Sequence, residues 1–293
     1  MKKALIIGAS GLLGSVFAKQ MEGVYRVWGT YKDNIAYGNP PLTWGYSHLD
    51  IINYREVADL FNHVQPDVVI HCAGIANVDK CEDNSKLAWD THEVGTENVS
   101  QWCRKANSKL VYISTDSVFD GTVGNYHELS ETHPINIYGA SKLRGEKVTP
   151  WAKDYLVIRT AFFDRLAKWV IENLKGNKEI SMFRDVYASP IFAVDLVDII
   201  LKMCDKNLIG TYHVGGKGSW SKYEFGVYLA KALNLNPFLI KRIMVKTLKE
   251  RVPRPKNLSL DCGKVERDLG IKVPTLQEGL KRFKEGYEQN KTR

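Results

Sequence analysis

The chain has 293 residues, 44% hydrophobic and 25% charged, with a net charge of +8. That length buries a full core, as one large domain or two interlocked ones, and the composition excludes disordered and fibrous classes. The five cysteines, Cys72, Cys81, Cys103, Cys204 and Cys262, form no Cys-x-x-Cys pair. A reduced, cytoplasmic chain without structural zinc or other metal is expected. No apolar run reaches membrane-spanning length, and Met1-Lys2-Lys3 leads straight into a strand, so neither a membrane partner nor a signal peptide is expected.

In chain order, Ala4-Leu5-Ile6-Ile7 is a short apolar run suited to a strand buried on both faces. The turn Gly8-Ala9-Ser10-Gly11-Leu12-Leu13-Gly14 follows, and Ser15 to Met21 has helical character. Strand, glycine turn and helix in this order form a dinucleotide-binding context: glycine permits close backbone approach, and a helix N-terminus offers N–H groups to a pyrophosphate. Gly8, Ser10, Gly11, Leu12, Leu13 and Gly14 are therefore cofactor-binding candidates, although the spacing is G-x-x-G-x-x-G.

Tyr25 to Thr30 reads as the second strand. An NAD site would place an acidic side chain at its end, whereas this chain has Thr30-Tyr31-Lys32 and only then Asp33. Tyr31 and Lys32 join the cofactor candidates, and Lys32 favours NADP(H) over NAD(H), either paired with a 2′-phosphate or simply pointing to water. Asn34 to Tyr46 reads as a loop and His48-Leu49-Asp50-Ile51 as a third strand, with Asp50 and Ile51 towards the adenine. Val57, Leu60, Phe61 and Val64 mark one face of a helix. Pro66 to His71 is the fourth strand, closed by Cys72-Ala73-Gly74, small enough for a cofactor to pass close by. Glu82 to Ala106 reads as one long helical stretch and Leu110 to Ser114 as the fifth strand. This alternation predicts an α/β, doubly wound parallel sheet of Rossmann type.

Ser114-Thr115-Asp116 ends the fifth strand, at the edge where such sheets bind ligands. A hydroxyl there either caps the next turn or donates to a developing alkoxide. Tyr138 and Lys142, in Tyr138-Gly139-Ala140-Ser141-Lys142, lie four apart and so on one helix face. The lysine charge favours a phenolate, which draws the tyrosine pKa below its usual ~10.

Together, Gly8 to Gly14, Ser114-Thr115-Asp116 and Tyr138 to Lys142 resemble an extended short-chain dehydrogenase/reductase. Val78 to Glu82, Thr115 to Gly121, Gly145-Glu146, and Arg254-Pro255 leading to Leu260-Asp261 resemble the dTDP-4-dehydrorhamnose reductase family over nearly the whole chain. The resemblance implies NAD(P)H-dependent reduction of a 4-keto group on a nucleotide-activated deoxysugar. By position, Tyr138 would protonate the oxygen, Lys142 would bind the nicotinamide ribose, and Thr115 would hydrogen-bond the keto oxygen. Arg254 falls where the family grips the diphosphate. With Arg251, Ser114, Thr115 and Phe119 it makes up the substrate side. Three departures stand near the substrate end and behind the catalytic groups: Ser117 where relatives commonly have Tyr, Ala76 for a hydroxyl residue, and His92 where relatives usually place Asn.

Asp154 to Arg159 is a sixth strand, Ser189 to Met203 an amphipathic helix start, and Gly210 to Val214 a strand returning to the sheet. Phe162, Phe163 and Trp169 either line a base pocket or fill the core. Residues 1–159, with 188–214 returning, are the expected cofactor domain. The expected substrate domain is 160–293, smaller and mostly helical towards its end. The basic residues from Lys241 onwards lack the aromatic interleaving of a nucleic-acid surface, so no nucleic-acid partner is expected, only a nucleotide-diphosphate sugar, with a homodimer left open. Epimerases and dehydratases share these motifs, and Asp116 beside Thr115 partly suits a dehydratase. A non-catalytic NADP-binding subunit, like the regulatory subunit of methionine adenosyltransferase, shares the fold.

Overall fold

A computed structural model of the chain describes residues 1–33, 44–247 and 252–289. Strand β1 (Lys3–Ile7) is apolar and almost wholly buried because it lies between two parallel neighbours, β2 (Arg26–Tyr31) and β4 (Val68–His71). Helix α1 (Leu12–Met21) links β1 to β2, and β3 (Gly45–His48) extends the sheet beyond β2. Helix α2 (Tyr54–Val64) starts where the Asn53 side chain accepts from the N–H groups of Arg55 and Glu56. It ends at Gln65, which turns left-handed at φ 47°. Its buried face is Val57, Leu60, Phe61 and Val64, the set read from periodicity, each contributing about 1.5–3 kcal/mol when buried.

After β4 come α3 (Val78–Asp83), α4 (Ser85–Trp89), a π turn (Asp90–Val94) and α5 (Gly95–Ala106). Strand β5 (Lys109–Ile113), α6 (Ile137–Val148) and β6 (Tyr155–Arg159) follow. Then come α7 (Asp164–Lys175), β7 (Ile180–Phe183), β8 (Tyr187–Ala188), α8 (Ala193–Asp205) and β9 (Gly210–His213). The last elements are β10 (Trp220–Ser221), α9 (Lys222–Ala232), β11 (Ile240–Ile243), α10 (Gly263–Leu269) and α11 (Leu276–Gln289).

Among the described residues the main sheet has the order β3-β2-β1-β4-β5-β6-β9, with every neighbouring pair parallel. The order reverses between β1 and β4, so a ligand crevice opens beyond their carboxyl ends. Leu196 and Ile200 of α8 share one core with Phe17 and Met21 of α1. Phe61 of α2 and Val99 of α5 fill the opposite face. A separate cluster, with Phe163, Val170, Phe225, Leu229 and Phe283, joins α7, α9 and α11 over the two-stranded β11–β7 ladder.

Two expectations change, and a third falls mostly outside the described residues. The third strand is Gly45–His48 and not residues 48–51, because it pairs with Trp28 to Tyr31 and the chain then turns at Ile51–Ile52, where Asn53 N–H donates to Asp50 O. The proposed loop 34–46 falls mostly outside the described residues. The long helix is interrupted at Asn84, whose side chain caps α4 by accepting from Leu87 N–H, and again by the π turn. The described residues after Ser221 are mostly helical, as expected, in α9, α10 and α11, with β11 and the irregular run 252–262 between them.

Candidate active site

The glycine turn is shaped by steric contact. Gly8 takes φ +83°, and a Cβ there would meet Ala73 N at 2.9 Å. A Cβ on Gly14 would lie 2.2 Å from Gly8 O, so the first turn of α1 reaches the turn only without a side chain. Gly11 caps α1 without a side-chain acceptor, and the first turn of α1 carries no acidic residue. The helix N-terminus therefore keeps its N–H groups and positive dipole for an anion. A cleft of about 510 Å³ runs from Gly8, Gly11, Leu12, Leu13 and Gly14, past Cys72, Ala73 and Gly74, to Ser114, Thr115, Tyr138 and Lys142. Ser10 is half-buried in the turn and is not part of the cleft wall.

At the end of β2 the Tyr31 ring packs on Tyr46 at 4.8 Å, and Lys32 Nζ stands 2.8 Å from Asp50 Oδ2. Burial opposes ionisation of Asp50, but Lys32 and the Ile52 N–H outweigh it and hold the carboxyl below its usual range. Asp50 is thus a partner of Lys32. Ile51 is a correction: its side chain is buried in the α2–α5 core, and its carbonyl accepts from Asn98 Nδ2 at 2.9 Å. An apolar residue at that turn is drawn inward, away from the cleft.

Helix α6 carries Tyr138 and Lys142. Asn136 caps it by accepting from Gly139 N–H at 2.9 Å. A Cβ on Gly139 would meet Ser117 O at 2.1 Å, so the helix presses directly on the turn after β5. In that turn the Thr115 hydroxyl accepts from Ser117 N–H and donates to Asp116 Oδ1, both at 3.1 Å. Burial raises the Asp116 carboxyl to about 6, against the hydrogen bonds from Thr115 and Ser117. Lys142 is buried, donates to Ile113 O at 2.6 Å and lies 4.0 Å over the Tyr112 ring. Burial pulls its ammonium down to about 7, with Glu146 opposing.

Tyr138 corrects the expected direction. Burial pushes its phenol up to about 12, with a Thr115 hydrogen bond pulling the other way. Desolvation of the phenolate, with the Asp116 charge adding to it, exceeds the help of Thr115, while the Lys142 ammonium is directed at the Ile113 carbonyl.

On the substrate side a second cavity of about 260 Å³ adjoins the cleft. Asp116, Ser117, Phe162 and Lys222 line both. Arg254 lines the smaller one, its guanidinium held by Asp79 Oδ1 and Oδ2 at 2.9 and 2.8 Å. Arg251 lies outside the described residues. Ser114 borders the cleft but donates its hydroxyl to Glu146 Oε1 at 2.5 Å, and Glu146 in turn pairs with buried Arg159. Phe119 is a correction: it is fully buried, stacked 4.2 Å from Tyr126, and lines neither cavity.

Sequence reading missed Lys222, Arg165 and Thr160 on the cleft wall. Thr160 is buried, and its hydroxyl has no hydrogen-bond partner among the described residues. The Ser221-x-x-Glu224 capping box marks where α9 begins, yet nothing local shows that Lys222 borders the cleft. Among the described residues no group of three or more His, Cys, Asp or Glu side chains is placed to hold a metal.

The model of the RmlD substrate binding domain family matches residues 1–288. The chain is 30% identical to a probable low-salt glycan biosynthesis reductase of Haloferax volcanii, over 94% of this chain and 95% of that one. It is also 30% identical to methionine adenosyltransferase 2 subunit beta of Xenopus laevis, over 93% and 84%. Among solved structures, dTDP-4-dehydrorhamnose reductase of Bacillus anthracis in complex with NADP superposes with a TM-score of 0.86 at 31% identity, covering 96% and 98%.

Proposed function

The chain belongs to the RmlD substrate binding domain family, and from that premise we propose that it is an NAD(P)H-dependent reductase of a 4-keto group on a nucleotide-activated deoxysugar. The observation that carries this reading is one continuous cleft with a glycine turn at one end and Thr115, Tyr138 and Lys142 at the other. The residues fit a dinucleotide: Gly8 and Gly14 leave a cradle that a Cβ would close, and α1 points its N-terminus at it. NADP(H) is the preferred cofactor and NAD(H) an admissible one, since Lys32 supplies a cation at the end of β2 while Asp50 competes for it. Gly8, Gly11, Leu12, Leu13 and Gly14 would hold the pyrophosphate, Lys32 the adenosine end, and Cys72 to Gly74 the opposite wall.

When bound, this cofactor supplies the hydride. Tyr138 holds the proton, because a phenol raised to about 12 stays protonated at neutral pH and donates only as negative charge develops on the substrate oxygen. Thr115 orients that oxygen once its hydroxyl turns from Asp116, and Lys142 steadies the Tyr138 side of the cleft through charge. The second cavity, with Phe162, Lys222 and Arg254, would take the nucleotide diphosphate, whose charge needs cations at the junction. Residues 1–159 with 188–214 would then serve the cofactor and the rest the substrate. No described helix is long and apolar enough to cross a membrane. Free cysteines support placement in the cytoplasm, and apart from Arg254 the basic residues near the C-terminus read as surface charge, with Lys241 beside Glu179 and Arg282 beside Asp195.

The test is NADPH oxidation with dTDP-4-dehydro-6-deoxyhexose. Wild type should consume NADPH stoichiometrically, and Tyr138→Phe should lose about 10²–10⁴-fold in kcat with its melting temperature unchanged. The likeness to methionine adenosyltransferase 2 subunit beta supports a second reading, a cofactor-binding partner subunit. A wild type that binds NADPH tightly and oxidises it with no keto-sugar would establish that reading instead.

A further inference from the structure

His92 is 1% exposed and sits in the π turn Asp90–Val94, which is closed by the Gly95 N–H donating to Asp90 O. Short π turns often occur at functional positions. Both ring nitrogens of His92 are engaged. Ile75 N–H donates to Nε2 at 2.9 Å, so that nitrogen is the acceptor of a neutral ring. Nδ1 must then carry the proton and donate to Ser141 Oγ at 2.8 Å, and Ser141 Oγ donates to Tyr138 O at 3.1 Å. Three hydrogen bonds thus run in one direction from the loop after β4, through the imidazole, to the turn of α6 that holds Tyr138 and Lys142.

The packing says the same. A Cβ on Gly74 would come within 3.1 Å of His92 Nε2, so the loop closes on the ring at its narrowest residue. On the other side the His92 and Tyr138 rings meet edge to face, 6.1 Å between centroids. Ser141 is fully buried, leaving its hydroxyl no solvent alternative.

We propose that His92 is a positioning residue for the reaction: it ties the cleft wall at Gly74–Ile75 to the Tyr138–Lys142 turn of α6, so that the cofactor wall and the proton donor keep one separation. The inference rests on the reading of this cleft as a cofactor and keto-sugar site. The imidazole borders the cleft beside Gly74, but it carries no proton to substrate, because both ring nitrogens are taken by Ile75 and Ser141. Burial, with the Lys142 and His71 charges, depresses its pKa to about 2, so the acceptor and donor nitrogens keep their roles across the working pH range. An asparagine side chain also offers one acceptor and one donor and can span part of the same gap, whereas leucine can offer neither.

The experiment compares His92→Leu, His92→Asn and Ser141→Ala by three readouts: amide hydrogen exchange, NADPH affinity, and the separate kcat and KM values. In the protein without cofactor, His92→Leu should exchange the Ile75 amide faster than wild type. Adding NADPH to wild type should protect both residues 73–77 and α6, and in His92→Leu the protection of α6 should be lost while that of 73–77 remains. kcat should fall about 10- to 100-fold, the scale of a catalytic group misplaced by about 1 Å, with KM for the sugar little changed. His92→Asn should recover most of kcat. Ser141→Ala should lose kcat while leaving Ile75 exchange as in wild type, and it stands in if His92→Leu does not fold.

Wild-type kcat in both His92→Leu and Ser141→Ala overturns the proposal. So does a loss of kcat equal in His92→Leu and His92→Asn that tracks only the fall in melting temperature. If wild type reduces no keto-sugar, the reductase reading fails, and the exchange coupling between 73–77 and α6 still decides the role of His92.

Discussion

At the scale of single residues, Lys142 is the group whose chemistry burial has altered most usefully. Its ammonium is drawn down to about 7 while Tyr138 is driven up to about 12, so in the physiological range the lysine and not the tyrosine titrates. Under the proposed reading the charged form is the one that would hold the nicotinamide ribose. NADPH binding should therefore weaken as pH rises through about 7, approaching tenfold per pH unit, and Lys142→Met should flatten that dependence. Titrating Kd by fluorescence from pH 6 to 9 checks this; a flat wild-type profile would remove Lys142 from the cofactor site.

Under the same reading two cations would meet the nucleotide diphosphate. Lys222 borders both cavities, and Arg254 is already braced by Asp79, which fixes its fork at the rim of the smaller cavity. Lys222→Ala and Arg254→Ala should each raise KM for the nucleotide sugar about tenfold, the loss of one charge-assisted hydrogen bond, and Arg254→Ala, away from the cofactor cleft, should leave NADPH affinity unchanged. If neither KM moves, the smaller cavity does not hold the diphosphate.

At the scale of elements, α1 and α6 show why contact distance matters more than periodicity. Helix α6 buries Gly139, Ser141, Lys142, Gly145 and Glu146, a polar and small face that no hydrophobic pattern announces. A Cβ on Gly145 would meet the Tyr112 hydroxyl at 2.2 Å, so this helix is held close by what it lacks. The same holds for α1, where Gly14 packs on Gly8 O. Gly14→Ala should push the helix from the turn, costing about 1–3 kcal/mol of stability. NADPH affinity should fall with it, since the N-terminal N–H groups move with the helix. Denaturant unfolding and cofactor titration on the same variant measure both, and unchanged values for both would show that α1 has slack that this packing denies.

At the scale of the whole molecule, buried titratable groups set the response to acid. Burial first, then nearby cations, holds His71 and His213 near 3 and His92 near 2, whereas unfolded imidazoles titrate at about 6.5. Their contribution to stability is full above about 6.5 and is lost as pH falls, because only the unfolded chain takes up these protons. Asp116 and Asp164 act oppositely. Burial raises each to about 6, so as pH falls through 6 the folded state binds their protons first and is stabilised. Near pH 5 the three imidazoles oppose these carboxyls and are nearly fully protonated in the unfolded chain, so stability should fall as pH drops. Asp116→Asn removes one opposing group and should steepen the slope by about one proton. Urea unfolding between pH 7 and 5 measures it; a stability that rises on acidification would contradict the burial of these histidines.

The sequence by itself determined the doubly wound sheet, the glycine turn against the first helix, and the Tyr138–Lys142 pair. Each of these is written in adjacent residues: apolar strands, a tight turn, one helical step. It also yielded the buried face of α2, because an amphipathic helix declares its inner side by spacing alone. Only the tertiary structure decided that Lys32 meets Asp50, that Asp79 holds Arg254, and that Phe119 turns into the core while Lys222 borders both cavities. It alone reversed the shift of Tyr138 and joined His92 to Ile75 and Ser141. These depend on burial and on partners 17 to 175 positions away, and neither desolvation nor a long-range contact leaves a trace in local spacing.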